Sequence, residues 1–126
     1  MNPRMSLLLL AGLMLARAAA ADNFSEAHYD AAKDQLVITM IYRGTNPDHT
    51  FSLQWGKCRD VAGSSVHEIS AEVLDSKFMD AAQTNFKTTT RIDLAGLACR
   101  PAKVTLRTAP RFYYTLRIPA APGASP

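Results

Sequence analysis

The chain has 126 residues, with 14 Lys+Arg against 11 Asp+Glu, two cysteines and 48% hydrophobic residues. That length accommodates one core of ordinary size and excludes multidomain enzymes, solenoids and polytopic membrane proteins. Much of the apolar character sits in residues 5–21, which also carry part of the basic excess.

Residues 1–21 read as an export signal. Arg4 supplies the positive charge, residues 5–16 (MSLLLLAGLMLA) form a largely apolar run, and Ala18, Ala19, Ala20 and Ala21 follow Arg17. As a helix that run would rise about 18 Å, short of a hydrocarbon core of about 30 Å. Cleavage is expected after Ala20 or Ala21, since each leaves an A-x-A pattern. No Cys follows the run, so neither a lipid-modified terminus nor a membrane anchor is expected in the mature form. Without Arg4 and Arg17 the balance is twelve bases to eleven acids, which withdraws the case for nucleic acid.

The remaining charge is uneven. Residues 22–80 hold ten acids and five bases, whereas residues 81–126 hold Asp93 against seven bases. Either the halves neutralise each other across adjacent strands, or the second half offers a basic face to an acidic partner. Cys58 and Cys99 are the only cysteines, and in an exported chain a disulfide is the expectation. It would close a loop of about 40 residues, contributing roughly 4 kcal/mol on the chain-entropy model. Zinc is disfavoured because neither Cys has a companion Cys or His at short spacing.

Strand signals dominate from residue 25 onward. Residues 25–29 alternate as a short first strand and end at the turn-like 30–34. Residues 35–43 (QLVITMIYR) are β-branched and apolar on both faces, as a central strand requires. After the 44–48 loop, residues 49–55 (HTFSLQW) alternate. His49, Phe51, Leu53 and Trp55 face one way and Thr50, Ser52 and Gln54 the other. Residues 56–65 connect. Residues 66–74 (VHEISAEVL) read as a strand with Ile69, Ala71 and Val73 inward; a helix capped by Ser64 or Ser65 is the alternative. Residues 75–84 read as a loop or one helical turn.

Residues 86–94 (FKTTTRIDL) alternate again, and 96–101 turn the chain. Residues 102–108 and 111–118 make the last pair, with Val104, Leu106, Phe112, Tyr114, Leu116 and Ile118 inward. Residues 119–126 (PAAPGASP) have nothing to bury and are expected to be a disordered tail. Seven short strands at roughly ten-residue spacing predict an all-β, single-domain antiparallel β-sandwich over residues 22–118. A small β-barrel is the alternative. Each cysteine falls just beyond a strand end, so the bridge should staple two loops near the rim.

Catalytic constellations are sparse. Ser64 and Ser65 precede His67 without a nucleophile elbow. Glu68 and Glu72 would lie about 13 Å apart along a strand, too far for a glycosidase pair. No Gly-rich phosphate loop occurs. A metal carrier would need His28, His49 and His67 to converge, with Met40 or Met79 as further ligands. A buried neutral His49 bonded to backbone is the ordinary alternative. On the last strand, Tyr113 shares the outward face with Arg111, Thr115 and Arg117, a composition common in protein contacts though equally that of a tyrosine packed on arginine stems.

One longer pattern runs through these residues: Tyr42-x-Gly44, His49-x-Phe51-x-Leu53-x-Trp55, Asp75 and Asp80, then Ile92-Asp93-Leu94-x-x-Leu97. Over about 55 residues it resembles a group of small exported bacterial β-sandwich proteins, many of them lipoproteins, whose role is not established. Their pattern places one Cys in the loop before the histidine and another after the acidic segment, where this chain has Asn46 and Ala82. The Cys58–Cys99 pair would replace that staple. The resemblance implies fold and compartment but no activity.

The sequence therefore predicts a periplasmic or secreted binding or inhibitory module with no cofactor. Its partner would be another exported protein or an envelope polymer, met through Arg111, Tyr113 and Arg117. A Cu/Zn-binding protein is the alternative, and a small hydrolase comes last.

Overall fold

The computed structural model describes residues 23–77, 84–108 and 112–123. The expected signal segment lies outside the described residues, as do Met79, Asp80, Ala82 and Arg111. Seven strands follow one another: β1 (Asn23–Asp30), β2 (Gln35–Gly44), β3 (Phe51–Trp55), β4 (His67–Asp75), β5 (Thr84–Asp93), β6 (Ala102–Thr108) and β7 (Phe112–Ile118). They form a three-stranded sheet, β1-β2-β5, and a four-stranded sheet, β3-β4-β6-β7. The architecture is a β-sandwich and not a closed barrel.

One pairing departs from the antiparallel expectation. β4 and β6 run parallel, with His67 opposite Ala102 and Glu72 opposite Arg107. The reason is the path of the chain: β5 lies between them in sequence but belongs to the other sheet, so the chain reverses once there and returns in its original direction.

The core follows from period-two alternation. β2 is central in its sheet and buries Leu36, Ile38, Met40 and Tyr42. β4 contributes Ile69, Ala71 and Val73, and β6 contributes Ala102, Val104 and Leu106. Each fully buried Leu, Ile or Met stabilises by roughly 1.5–3 kcal/mol relative to exposure. The alternative helix over residues 66–74 is excluded, because residues 67–75 form β4, paired with β6 over 67–72 and with β3 over 71–75.

Strict alternation fails at two places. In β1 the register shifts between Phe24 and Glu26. This bulge gives one extra residue to β1 and turns Phe24 inward, its ring 6.2 Å from that of Tyr114. On the outer side of β2, Val37 is buried although it faces away from the core. Its register neighbours are His28 and Arg91, whose long side chains can cover an apolar neighbour while keeping their polar ends in water.

Opposite charges meet between some neighbouring strands. Glu68 and Glu72 of β4 stand in register with Lys103 and Arg107 of β6. On the other sheet, Arg91 donates to Asp30 at 3.0 Å and to Gln35 at 3.2 Å.

Candidate functional site

Cys58 and Cys99 form the expected disulfide, with Cα atoms 5.7 Å apart and a separation of 41 positions in sequence. Cys58 is exposed and Cys99 buried. The bond joins the segment after β3 to the loop before β6, at the rim of the sandwich. A stable disulfide fits an oxidising, extracytoplasmic compartment.

The segment after β3 does not leave the sheet. Gly56 N donates to Ser70 O at 2.7 Å, and Arg59 and Glu68 exchange backbone hydrogen bonds at 2.8 and 2.9 Å. Residues 56–60 thus run beside the first half of β4, with Arg59 also donating to the Glu68 carboxylate at 2.9 Å.

The three histidines stand apart. His28 lies in β1 with its Nδ1 3.1 Å from Glu26. His67 opens β4 and bonds Asp60 at 2.7 Å. His49 precedes β3 and is fully enclosed, its Nδ1 donating to Asp75 Oδ2 at 2.7 Å. Among the described residues no group of three or more His, Cys, Asp or Glu is placed to hold a metal ion. His49 is buried, as one sequence reading has it, and its Nδ1 partner is a carboxylate that is itself only 4% exposed. The ring also stacks on Tyr42, centroids 4.3 Å apart, and Tyr42 in turn packs against Phe51 and Phe86.

The residues weighed for hydrolysis are engaged locally. Ser64 Oγ accepts from Val66 N at 3.0 Å and lies 3.3 Å from Val66 O, which directs it along the loop. Asp60 occupies one ring nitrogen of His67.

Sequence reasoning missed the most enclosed arginine–carboxylate pair among the described residues. Arg100, in the β5–β6 loop, grips Asp34 with two parallel hydrogen bonds of 2.6 and 3.0 Å. The Arg100 side chain is 2% exposed and that of Asp34 17%. Asp34 sits at the end of the β1–β2 turn in the left-handed region, φ 53°, which Asp tolerates better than most residues. Its carbonyl accepts from Leu94 N at 3.1 Å, and its carboxylate accepts from Tyr29 Oη at 2.8 Å. Arg100 further donates to Leu94 O at 3.2 Å and to Pro119 O at 3.0 Å, tying down the first residue of the expected tail. The hydrogen bonds from Arg100 hold the Asp34 carboxyl below its ordinary value. The same carboxylate pushes Arg100 upward and, by accepting from its hydroxyl, raises Tyr29. The bidentate geometry and multiple carbonyl acceptors make this a clamp on three loops.

Of the predicted contact surface, Tyr113 and Arg117 both point outward from β7, and Tyr113 is 62% exposed. In register, Tyr113 stands beside Arg107 and Arg117 beside Lys103. With Glu68 and Glu72 on β4 these residues compose a polar outer face across the four-stranded sheet. Comparison with protein families, with curated proteins and with solved structures finds no match.

Proposed function

We propose that the protein is a non-enzymatic binding or inhibitory module, exported to the periplasm or beyond the cell. Its partner is another exported protein or an envelope polymer, and the contact surface is the outer face of β3-β4-β6-β7. The observation that carries this reading is Tyr113, a large aromatic side chain 62% exposed in a row with Arg107, with the Thr105–Thr115 row between it and the Lys103–Arg117 row. Aromatic residues flanked by arginine are enriched where protein surfaces are recognised. The groups with the greatest chemical reactivity are engaged in structure, namely the cysteines in their disulfide and His49 in its buried bond to Asp75.

The test is capture from an envelope fraction with the purified full domain as bait, wild type against Tyr113→Ser/Arg117→Glu. Partners retained by the wild type and lost by the variant support the reading. Identical capture by both overturns the surface assignment.

A further inference from the structure

Two hollows lie on the outer face of the four-stranded sheet and share Ser70. The larger, of about 530 Å³, has Ser70 and Thr105 in its lining and is flanked by Lys57, Arg59, Glu68 and Lys103. The smaller, of about 150 Å³, is bordered by Gln54, Trp55, Glu72 and Arg107. The rim bearing Lys57 and Arg59 is held in place by the Gly56–Ser70 and Arg59–Glu68 backbone bonds and by the disulfide at Cys58. Gly56 keeps the junction open. A Cβ there would stand 3.0 Å from Ser70 Oγ, so any side chain would crowd the point where the hollows meet.

The charges select the occupant. Arg59 is answered by Glu68 at 2.9 Å. Lys57 and Lys103 have no ion pair among the described residues, and Arg117 adds a further cation in register with Lys103. The larger hollow therefore carries an uncompensated positive charge that favours a carboxylate or phosphate. Glu68 and Glu72 repel a chain that offers only anions, yet they accept hydrogen bonds from hydroxyls. The hydroxyls of Ser70 and Thr105 and the amide of Gln54 donate and accept side by side, as a polyol requires. Trp55 borders the second hollow, but its indole is turned to the core with Leu53, so the hydroxyls, the amide and the charges make up the recognition surface.

We propose that this groove binds an anionic oligosaccharide, seating an acidic sugar against Lys57 and Lys103 and the following ring along Ser70 toward Gln54 and Arg107. The inference rests on the reading of this face as the contact surface and gives the polymer partner its chemical class. The source of the negative charge, carboxylate or phosphate, is left to the probes.

The experiment is a titration of the isotope-labelled, disulfide-intact domain at low ionic strength. The probes are a tetramer of galacturonate, a sugar phosphate, a neutral maltotetraose and pentaglutamate, followed by amide chemical shifts. The expected result is saturable shifts at Ser70, Lys103 and Thr105 with the galacturonate tetramer, the sugar phosphate or both, the responding probe identifying the anion. Binding should weaken at least tenfold in Lys57→Gln/Lys103→Gln, whose exposed positions leave the fold intact, and should fall with added salt. Maltotetraose and pentaglutamate should each bind at least tenfold more weakly. Equal or tighter binding of pentaglutamate assigns the groove to an acidic peptide and overturns the proposal. So does equal binding of the neutral sugar, or shifts confined to other surfaces, or no saturable shift at all. Failure here while Tyr113→Ser/Arg117→Glu still abolishes envelope capture leaves the binding-module reading standing. Failure of both removes the face altogether.

Discussion

At one end of the sandwich, the β1–β2 turn, the β5–β6 loop and the chain after β7 are held by the Arg100 clamp, with the Cys58–Cys99 bond beside it. At the other end, the β2–β3 connection is held to the end of β4 by His49 on Asp75, by Thr50 and Ser76 exchanging hydrogen bonds at 2.9 Å, and by Lys77 on Asp48. The first end joins segments up to 66 residues apart; the second joins segments 26 to 29 apart. The difference teaches how the domain divides its stabilisation. A disulfide acts largely by restricting the unfolded chain, whereas a buried imidazole–carboxylate pair acts only when the native structure surrounds it. The ligand groove lies toward the covalently fastened end, and its basic rim follows the disulfide-bearing segment.

The largest effect should come from breaking the covalent end. Replacing both Cys58 and Cys99 by Ser releases a 41-residue constraint and should lower unfolding stability by about 4 kcal/mol, a large share of the 5–15 kcal/mol typical of a domain. Urea unfolding followed by tryptophan fluorescence measures it through Trp55. A loss under about 1 kcal/mol would mean that the unfolded chain is already ordered across this loop. Next comes the histidine end. His49→Leu removes the donor to a carboxylate that is 4% exposed and should cost about 1–3 kcal/mol. Asp75→Leu added to it should restore part of that loss, because both members of the pair are then gone. The His49→Leu cost should be the same in oxidised and reduced protein, since distant sites add. Strong coupling between the two would erase the distinction between the ends.

The strands were legible because each carries its own signal. The β2 run QLVITMIYR is apolar on both faces and became the central strand of its sheet, while in β6 and β7 the alternation of apolar and polar residues marks the inward set. What alternation could not show is which strand lies in which sheet, hence the parallel β4–β6 pair, or an added residue such as the β1 bulge. The disulfide was readable from counting. The Asp34–Arg100–Tyr29 cluster was not, since Asp34 and Arg100 both sit in turn-forming segments with no pattern between them. Asp75 features in the sequence only through the family resemblance, although the hairpin register that sets Asp75 opposite Phe51 places it near His49. The groove depends on residues 56–60 lying along β4, a path that no local composition encodes.

The clamp end also carries a pH dependence. Asp34 has a folded-state pKa below its ordinary 3.8, chiefly through its bonds from Arg100. Its contribution is therefore complete above the unfolded value and is lost as pH falls through the lower folded value. Wild-type stability should decline from about pH 4 downward, while Asp34→Asn should be less stable at neutral pH and flatter across that acid range. Unfolding midpoints in urea at stepped pH measure both. Parallel curves for the two proteins would show that Arg100 does not favour the charged carboxylate.

The smallest effect is spectroscopic and tests the same clamp from its third member. Tyr29 donates its hydroxyl to Asp34 at 2.8 Å, and deprotonation would remove that donor and set a phenolate beside a carboxylate. Its pKa is accordingly raised above the ordinary 10.0, with the hydrogen bond to Asp34 as the main cause and Arg100 opposing it. In an alkaline absorbance titration, the difference between wild type and Tyr29→Phe isolates this phenol and should show it ionising later than a free tyrosine. Repeating the subtraction in the Asp34→Asn background should move that ionisation toward the ordinary value, because the neutral amide removes the adjacent charge. Arg100→Gln should move it further upward, since the cation that favours the phenolate is then absent while Asp34 remains. A Tyr29 titration that ignores both substitutions would mean that the three side chains do not act as one cluster, and the contrast between a clamped end and a histidine end would rest on the disulfide alone.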